Sequence, residues 1–61
     1  MSARLVVATM LRFGGSFVKA LANAFQAADP VNFERLRAAF PDIWSRYETM
    51  AGKMSDGKEV A

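Results

Sequence analysis

The sequence predicts an all-α fold, a small bundle of two to three short helices that self-associates into a homo-oligomer. Two prolines, Pro30 and Pro41, divide the chain, and the apolar residues around them recur at helical spacing. The chain has 61 residues, of which 52% are apolar, and no cysteine is available for a disulfide. A chain this short buries too little surface to be very stable, so we expect association with further copies to bury more.

Residues 1–13 are predicted to form an N-terminal leader that is either a short helix or disordered. Leu5, Met10 and Leu11 fit a short helix, whereas the β-branched pair Val6 and Val7 fits a strand equally well. Of the two regular structures, we expect the helix.

Residues 14–52 are predicted to be the helical domain. Gly14 and Gly15 interrupt the chain, and Ser16 is a residue type that caps a following helix. The apolar stripe of that helix consists of Phe17, Leu21, Ala24, Phe25 and Ala28. The opposite, polar stripe consists of Ser16, Lys19, Asn23 and Gln26. We expect the phenylalanine-containing stripe to lie in the core or in the interface between copies.

Two further helices are predicted from their starts. Asp29 is suited to cap a helix whose first residue is Pro30, and Pro41 with Asp42 repeats this pattern. The apolar face of the first of these helices contains Phe33, Leu36 and Phe40, and that of the second contains Ile43, Trp44, Tyr47, Met50 and Ala51. Glu34 and Glu48 are placed to pair with arginines on the exposed faces.

Gly52 is predicted to end the last helix, because glycine commonly follows the final helical turn. Residues 53–61 are polar and have no apolar periodicity. They are therefore expected to form a disordered tail.

Charge is distributed unevenly along the chain. Residues 1–28 carry three basic residues and no acid, whereas residues 29–61 carry five basic and six acidic residues. This indicates a positive surface near Gly14–Lys19 that suits an anionic ligand or partner. The basic residues are too scattered for a general nucleic-acid binder, and no apolar stretch is long enough to span a membrane. We expect a cytoplasmic protein without a membrane partner.

The composition also limits the chemistry. The chain contains no histidine and no cysteine, so a Ser-His or Cys-His nucleophile cannot be assembled and the usual zinc ligands are missing. The carboxylates have ordinary positions at helix starts or on exposed faces. We therefore predict no enzymatic activity, no metal site and no cofactor.

The segment Arg12–Lys19 is the most suggestive local feature. Paired glycines allow close backbone approach, and the first N–H groups of the following helix favour an anion. The alternative is that Gly-Gly-Ser is only a turn with a helix cap, and that the aromatic residues are core or interface. The candidate ligand-binding residues are Arg12, Phe13, Gly14, Gly15, Ser16, Lys19, Asn23 and Tyr47.

The run Phe-Gly-Gly-Ser-Phe-Val-Lys-Ala-Leu-Ala, followed by Ala-Asp-Pro and Ala-Ala-Phe-Pro, resembles a group of very short proteins encoded by bacteriophages and prophages. The resemblance covers about residues 13 to 51. Small phage-encoded helical oligomers often counter host defence, as sponges for cyclic-nucleotide signals or as direct inhibitors of a defence complex. The resemblance therefore implies an anti-defence role in the cytoplasm of the infected host.

The sponge hypothesis best fits a chain without catalytic groups, because an oligomer can enclose repeated ligand pockets. In this hypothesis, the phosphates of a cyclic di- or trinucleotide are bound by the backbone amides of residues 14–16 and by the side chains of Arg12 and Lys19. Asn23 reads a base or ribose, and Phe13 or Tyr47 stacks on a base. The alternative is an inhibitor, similar to anti-CRISPR proteins, that docks on a host protein through an exposed apolar patch without a pocket. Binding to duplex DNA is less favoured. The helix that would enter the DNA groove, residues 42–51, carries Asp42 and Glu48 against a single basic residue, Arg46, so its attraction to phosphates would be poor.

Overall fold

Four helices make up the described chain. The computed structural model describes the backbone of residues 2–60 and the side chains of residues 2–53. The helices are α1 (Ala3–Phe13), α2 (Ser16–Ala27), α3 (Pro30–Ala39) and α4 (Pro41–Val60). The all-α prediction is confirmed, and residues 2–60 contain no strand. The structure has four helices instead of the predicted two to three, and the additional one is the helix expected within residues 1–13.

The first helix lies at the centre of the fold. Val6, Val7 and Met10 of α1 are buried, and α1 packs closely against both α2 and α4. The buried Thr9 hydroxyl donates a hydrogen bond of 2.8 Å to the Leu5 carbonyl one turn earlier, so its burial leaves no unsatisfied polar atom. The segment predicted as a leader is thus a major part of the hydrophobic core.

The core contains a cluster of three aromatic side chains from three helices. The Phe25 ring centroid lies 4.8 Å from that of Phe33 and 5.1 Å from that of Trp44, and the Phe33 and Trp44 centroids are 5.5 Å apart. Tilted and edge-on contacts at these distances are favourable for aromatic rings. This cluster joins α2, α3 and α4 on one side of the core, while α1 supplies the other side.

The predicted stripe of α2 is only partly correct. Leu21 and Phe25 are buried in the core of the same chain, together with Ala22, whereas Phe17 is 59% exposed. Ala24 of the stripe is also exposed. The stripe is therefore not one continuous interface between copies, because its central residues are covered by the chain itself. Self-association remains a prediction.

The start and apolar face of α3 follow the prediction. The Asp29 side chain accepts a hydrogen bond of 2.8 Å from the Asn32 amide, and Pro30 is the first helical residue. Phe33 and Leu36 are half-buried, but no residue of α3 is fully buried. The helix is consequently well defined at its start and only lightly anchored along its length.

The last helix begins as predicted and ends later. Pro41 is its first residue, and Trp44, Tyr47 and Ala51 are buried. The prediction that Gly52 ends the helix is wrong, since the backbone of α4 continues through it to Val60. The predicted tail is residues 53–61, and its side chains after residue 53 lie outside the part of the chain that the structure describes. No helix within the described residues has the length and apolar character needed to cross a membrane.

Candidate functional site

The candidate site surrounds the junction of the first two helices, and we call residues 12–19 the α1–α2 corner. α1 ends at Phe13, and the Gly14 amide donates a hydrogen bond of 2.9 Å to the Met10 carbonyl, which closes the last turn. The Gly14 amide is therefore engaged within the protein. It is not free to bind a phosphate, as the prediction for this residue required.

The two glycines of the corner have different surroundings. A Cβ atom at Gly14 would lie 2.5 Å from Val18 Cγ1 and 2.6 Å from the Met10 carbonyl oxygen. At Gly15 a Cβ atom would meet nothing within 4 Å. Glycine is thus required at position 14 because α1 and α2 approach each other closely there. The close approach serves the packing of the chain.

The first turn of α2 presents unpaired amide groups. Gly15 is the N-cap residue and provides no capping side chain, so the prediction that Ser16 caps this helix is wrong. The first amide to bond inside the helix is that of Lys19, which donates to the Gly15 carbonyl at 2.9 Å. The amides of residues 16–18 have no acceptor inside the helix and favour negative charge nearby.

Two phenylalanines of the corner are exposed. Phe13 is 50% exposed and Phe17 is 59% exposed. The guanidinium carbon of Arg12 lies 5.3 Å from the centroid of the Phe13 ring, a distance suited to a cation–π interaction. The Phe17 ring packs edge-on against Phe40 at 5.8 Å, which holds it against α3. The corner therefore carries an aromatic surface with a positive charge against it.

The remaining candidate residues divide between the surface and the core. Lys19 and Asn23 are exposed and lie one turn apart on the same face of α2. Tyr47 is 7% exposed and belongs to the hydrophobic core, so it does not present its ring to a ligand at the corner. Ser16 and Gly15 are exposed. Seven of the eight predicted residues thus belong to the corner or the adjoining face of α2.

The charge around the corner is positive. Residues 1–28 contain no acidic side chain, and the one ion pair among the side chains of residues 2–53 joins Arg37 to Glu34, far along the chain in α3. Within the described part of the chain, no group of three potential ligands could hold a metal ion. An acidic or anionic partner is therefore the electrostatic complement of the corner.

Several clefts of the described structure lie away from the corner. They are lined by residues of α3 and α4 with part of α1, by the facing surfaces of α2 and α3, by α3 alone and by α4 alone. None of these clefts includes a residue of the corner. Small ligands usually bind in concave sites that cover most of their surface, whereas proteins can bind flat or convex surfaces.

Comparisons with family models, with curated proteins and with solved structures found no match to this chain. The residues of the corner are therefore the basis for a proposal on function. Sequence reasoning identified its charged residues, but it assigned Phe17 to the apolar stripe. The neighbouring Phe13 and Arg12 were a signal of an exposed surface, because a basic residue beside an aromatic one is common at protein interfaces.

Proposed function

We propose that the chain is a non-enzymatic binding protein whose α1–α2 corner docks on an acidic surface of another protein. One observation supports this most strongly: Phe13 and Phe17 are both at least half exposed, in a segment that also contains the exposed Arg12 and Lys19. Exposed aromatic and arginine side chains dominate the energy of many protein interfaces. The absence of acids from residues 1–28 favours an acidic partner surface.

We further propose, from the resemblance noted in the sequence to short phage-encoded proteins, where this docking would act. In this proposal the partner is a component of a bacterial defence complex, and the protein inhibits it by covering a functional surface. The site of action is the cytoplasm of the infected host. Inhibition by occupation needs no catalytic group, in agreement with a chain that lacks histidine and cysteine.

Docking is tested by quantitative affinity purification from host lysate with three forms of the protein. These are the original chain, Phe13→Ser in the corner, and Val31→Ser as the matched control, since Val31 is 62% exposed on α3. We expect the same host protein to be retained by the original chain and the control, and to be lost with Phe13→Ser. Equal retention by Phe13→Ser would remove the corner from the interface.

A second candidate function is sequestration of a cyclic di- or trinucleotide by an oligomer. The observation that favours it is the set of unpaired amides in residues 16–18 beside Lys19, with Arg12 close by in sequence. In this proposal Asn23 contacts a base or ribose, and Phe13 is the stacking residue because Tyr47 is buried. This function includes self-association, in which a second copy closes the corner into a pocket.

Native mass spectrometry with a panel of cyclic di- and trinucleotides tests the second function. An oligomer that retains one nucleotide supports it, and we expect Lys19→Ala to weaken that binding at least tenfold while Lys53→Ala, an exposed lysine elsewhere, does not. A protein that retains no nucleotide in any oligomeric state would leave docking on a protein as the proposed function.

A further inference from the structure

The outer face of α1 is left uncovered by the described chain. Arg4, Ala8 and Arg12 are exposed. Leu5 is 38% exposed, although the next residue, Val6, is buried. The four exposed residues follow one another at spacings of one, three and four, so they lie on one side of the helix. We call Arg4, Leu5, Ala8 and Arg12 the α1 outer face. Because Arg12 also belongs to the α1–α2 corner, the two surfaces are continuous.

Exposed apolar side chains are concentrated in the same part of the chain. Among the described side chains, the large hydrophobic ones that are exposed are Leu5, Phe13, Phe17 and Val31. Three of these four lie within residues 1–28, which carry three basic residues and no acid. Single exposed apolar residues are ordinary, whereas several in one positively charged segment indicate a surface that binds a partner with both apolar and acidic side chains.

The side chains of the α1 outer face fit a helix of such a partner. Arg4 and Arg12 are eight residues apart, about 12 Å along the helix axis, and the small Ala8 lies midway between them. A small residue allows a second helix to approach to an interaxial distance of about 8 Å and leaves room for a large apolar side chain of that helix. Leu5, about one turn from Ala8, adds apolar contact area.

Both arginines are available to acids of a partner. Neither forms an ion pair with another side chain of residues 2–53. The guanidinium carbon of Arg12 lies 5.3 Å from the centroid of the Phe13 ring, which keeps its charge where the outer face meets the corner. Arg4 places a second charge at the other end of the face. Two acids at a matching distance are therefore the electrostatic complement of this face.

We propose that the partner presents an amphipathic α-helix to the α1 outer face. Two acidic side chains of that helix pair with Arg4 and Arg12, and a large apolar side chain between them packs on Ala8 beside Leu5. Exposed ion pairs contribute little free energy, so the apolar contacts supply most of the affinity and the arginines fix the register. This inference rests on the proposed function, because the outer face and the corner form one docking surface.

Two synthetic peptides test whether the face selects an acidic helix. The matched peptide is an alanine- and glutamine-based helix of about 18 residues, a length at which isolated helices form in water. Its two glutamates stand three residues before and four residues after a central leucine, so the three share one face. The control peptide has the same composition, with the glutamates two residues before and two residues after the leucine, on the opposite face.

Fluorescence anisotropy of the labelled peptides, with the full-length protein as titrant, measures binding. We expect the matched peptide to bind at least fivefold more tightly than the control peptide, with equal helicity of the two verified by circular dichroism. Equal binding of the two peptides would indicate a general attraction of acids and overturn the proposal. Binding to phosphatidylglycerol vesicles without binding of the matched peptide would also overturn it, and would make an anionic lipid surface the partner.

Substitutions in the protein locate the peptide. Ala8→Gln fills the space between the arginines without a change of charge, and we expect it to weaken binding of the matched peptide at least fivefold. Ala38→Gln, at an exposed alanine of α3, is the control and is expected to leave binding within twofold. Arg4→Gln is expected to weaken binding at least threefold, whereas Arg46→Gln, at an exposed arginine of α4, has less than a twofold effect. Equal effects within either pair would overturn the assignment to α1.

Affinity purification separates a failure of this inference from a failure of the proposed function. If the host protein is lost with Phe13→Ser and fully retained with Ala8→Gln, the corner remains the docking site and the role of the α1 outer face is overturned. If it is retained with Phe13→Ser and lost with Ala8→Gln, the corner is excluded and the outer face is supported. We expect both substitutions to reduce its retention.

Discussion

The helices α1 and α3 differ in how their first turns are capped and in how much of each helix is buried. α3 has a capped start, with the Asp29 side chain bonded to the Asn32 amide, and yet it has no buried residue. α1 has no side-chain hydrogen bond at its cap residue, Ser2, and contributes Val6, Val7 and Met10 to the core. The helix with the clearer sequence signals is thus the more peripheral of the two.

This difference shows that helix boundaries and helix burial have separate physical origins. A cap satisfies amides at the end of a helix through contacts within three residues, so it is visible in a short stretch of sequence. Burial requires partners from other helices, and α1 obtains them from α2 and α4.

Removal of the Met10 side chain tests the central position of α1. Met10 is fully buried, so we expect Met10→Ala to lower the free energy of unfolding by about 2 to 5 kcal/mol. This approaches the whole stability of a chain of this length, about 3 to 9 kcal/mol. Urea denaturation followed by circular dichroism measures the change.

The matched substitution on α3 is Val31→Ala, because Val31 is 62% exposed. We expect its effect to stay within about 0.5 kcal/mol. Similar losses for Met10→Ala and Val31→Ala would contradict the difference in burial between α1 and α3.

The two glycines of the corner allow a test of the packing of α1 on α2. Gly14→Ser places a Cβ atom against Val18 and the Met10 carbonyl, and we expect it to lower the free energy of unfolding by about 1 to 3 kcal/mol. Gly15→Ser adds the same atoms in open space at an N-cap position, so we expect a gain of a few tenths of a kcal/mol at most. Thermal unfolding of both variants gives the comparison, and a destabilised Gly15→Ser with an unaffected Gly14→Ser would reverse the assignment of the close approach.

Loss of the cap of α3 is expected to destabilise the protein less than Met10→Ala or Gly14→Ser. Asp29→Ala removes the hydrogen bond to the Asn32 amide and should cost about 1 kcal/mol. Because α3 is lightly anchored, we expect hydrogen exchange to accelerate first in the amides of α3 and least in those of α1. Asp42→Ala in the first turn of α4 is the control, since its side chain makes no hydrogen bond among the described residues. Uniform acceleration across α1 and α3 would contradict this prediction.

Features that depend on neighbouring residues were predictable. The starts of α3 and α4 follow from Asp29-Pro30 and Pro41, and the ion pair of Glu34 with Arg37 follows from their spacing of three residues. The face of α4 that contains Trp44 and Ala51 was also identified correctly. In each case the determining contact or periodicity lies within one helix.

Features that depend on packing between helices were not predictable. Gly52 does not end α4, because the preceding Ala51 is fully buried and tertiary contacts can offset the modest helical cost of glycine. α2 is apolar over a wide arc, and its contact with α1 selects Leu21 and Ala22 for burial and leaves Phe17 exposed. For the candidate site, the sequence indicated the positive charge of the corner but not the burial of Tyr47.

Local sequence features are sufficient to predict that the chain is helical, where α3 and α4 begin, and that the segment around Gly14–Lys19 is basic. These properties arise from backbone restrictions at proline and glycine, from local hydrogen bonds and from charge, none of which needs a distant partner. The packing of the helices against each other places α1 at the centre, exposes Phe13 and Phe17, and buries Tyr47. These properties arise from contacts between helices far apart in sequence, and the free energy of such contacts depends on the whole fold.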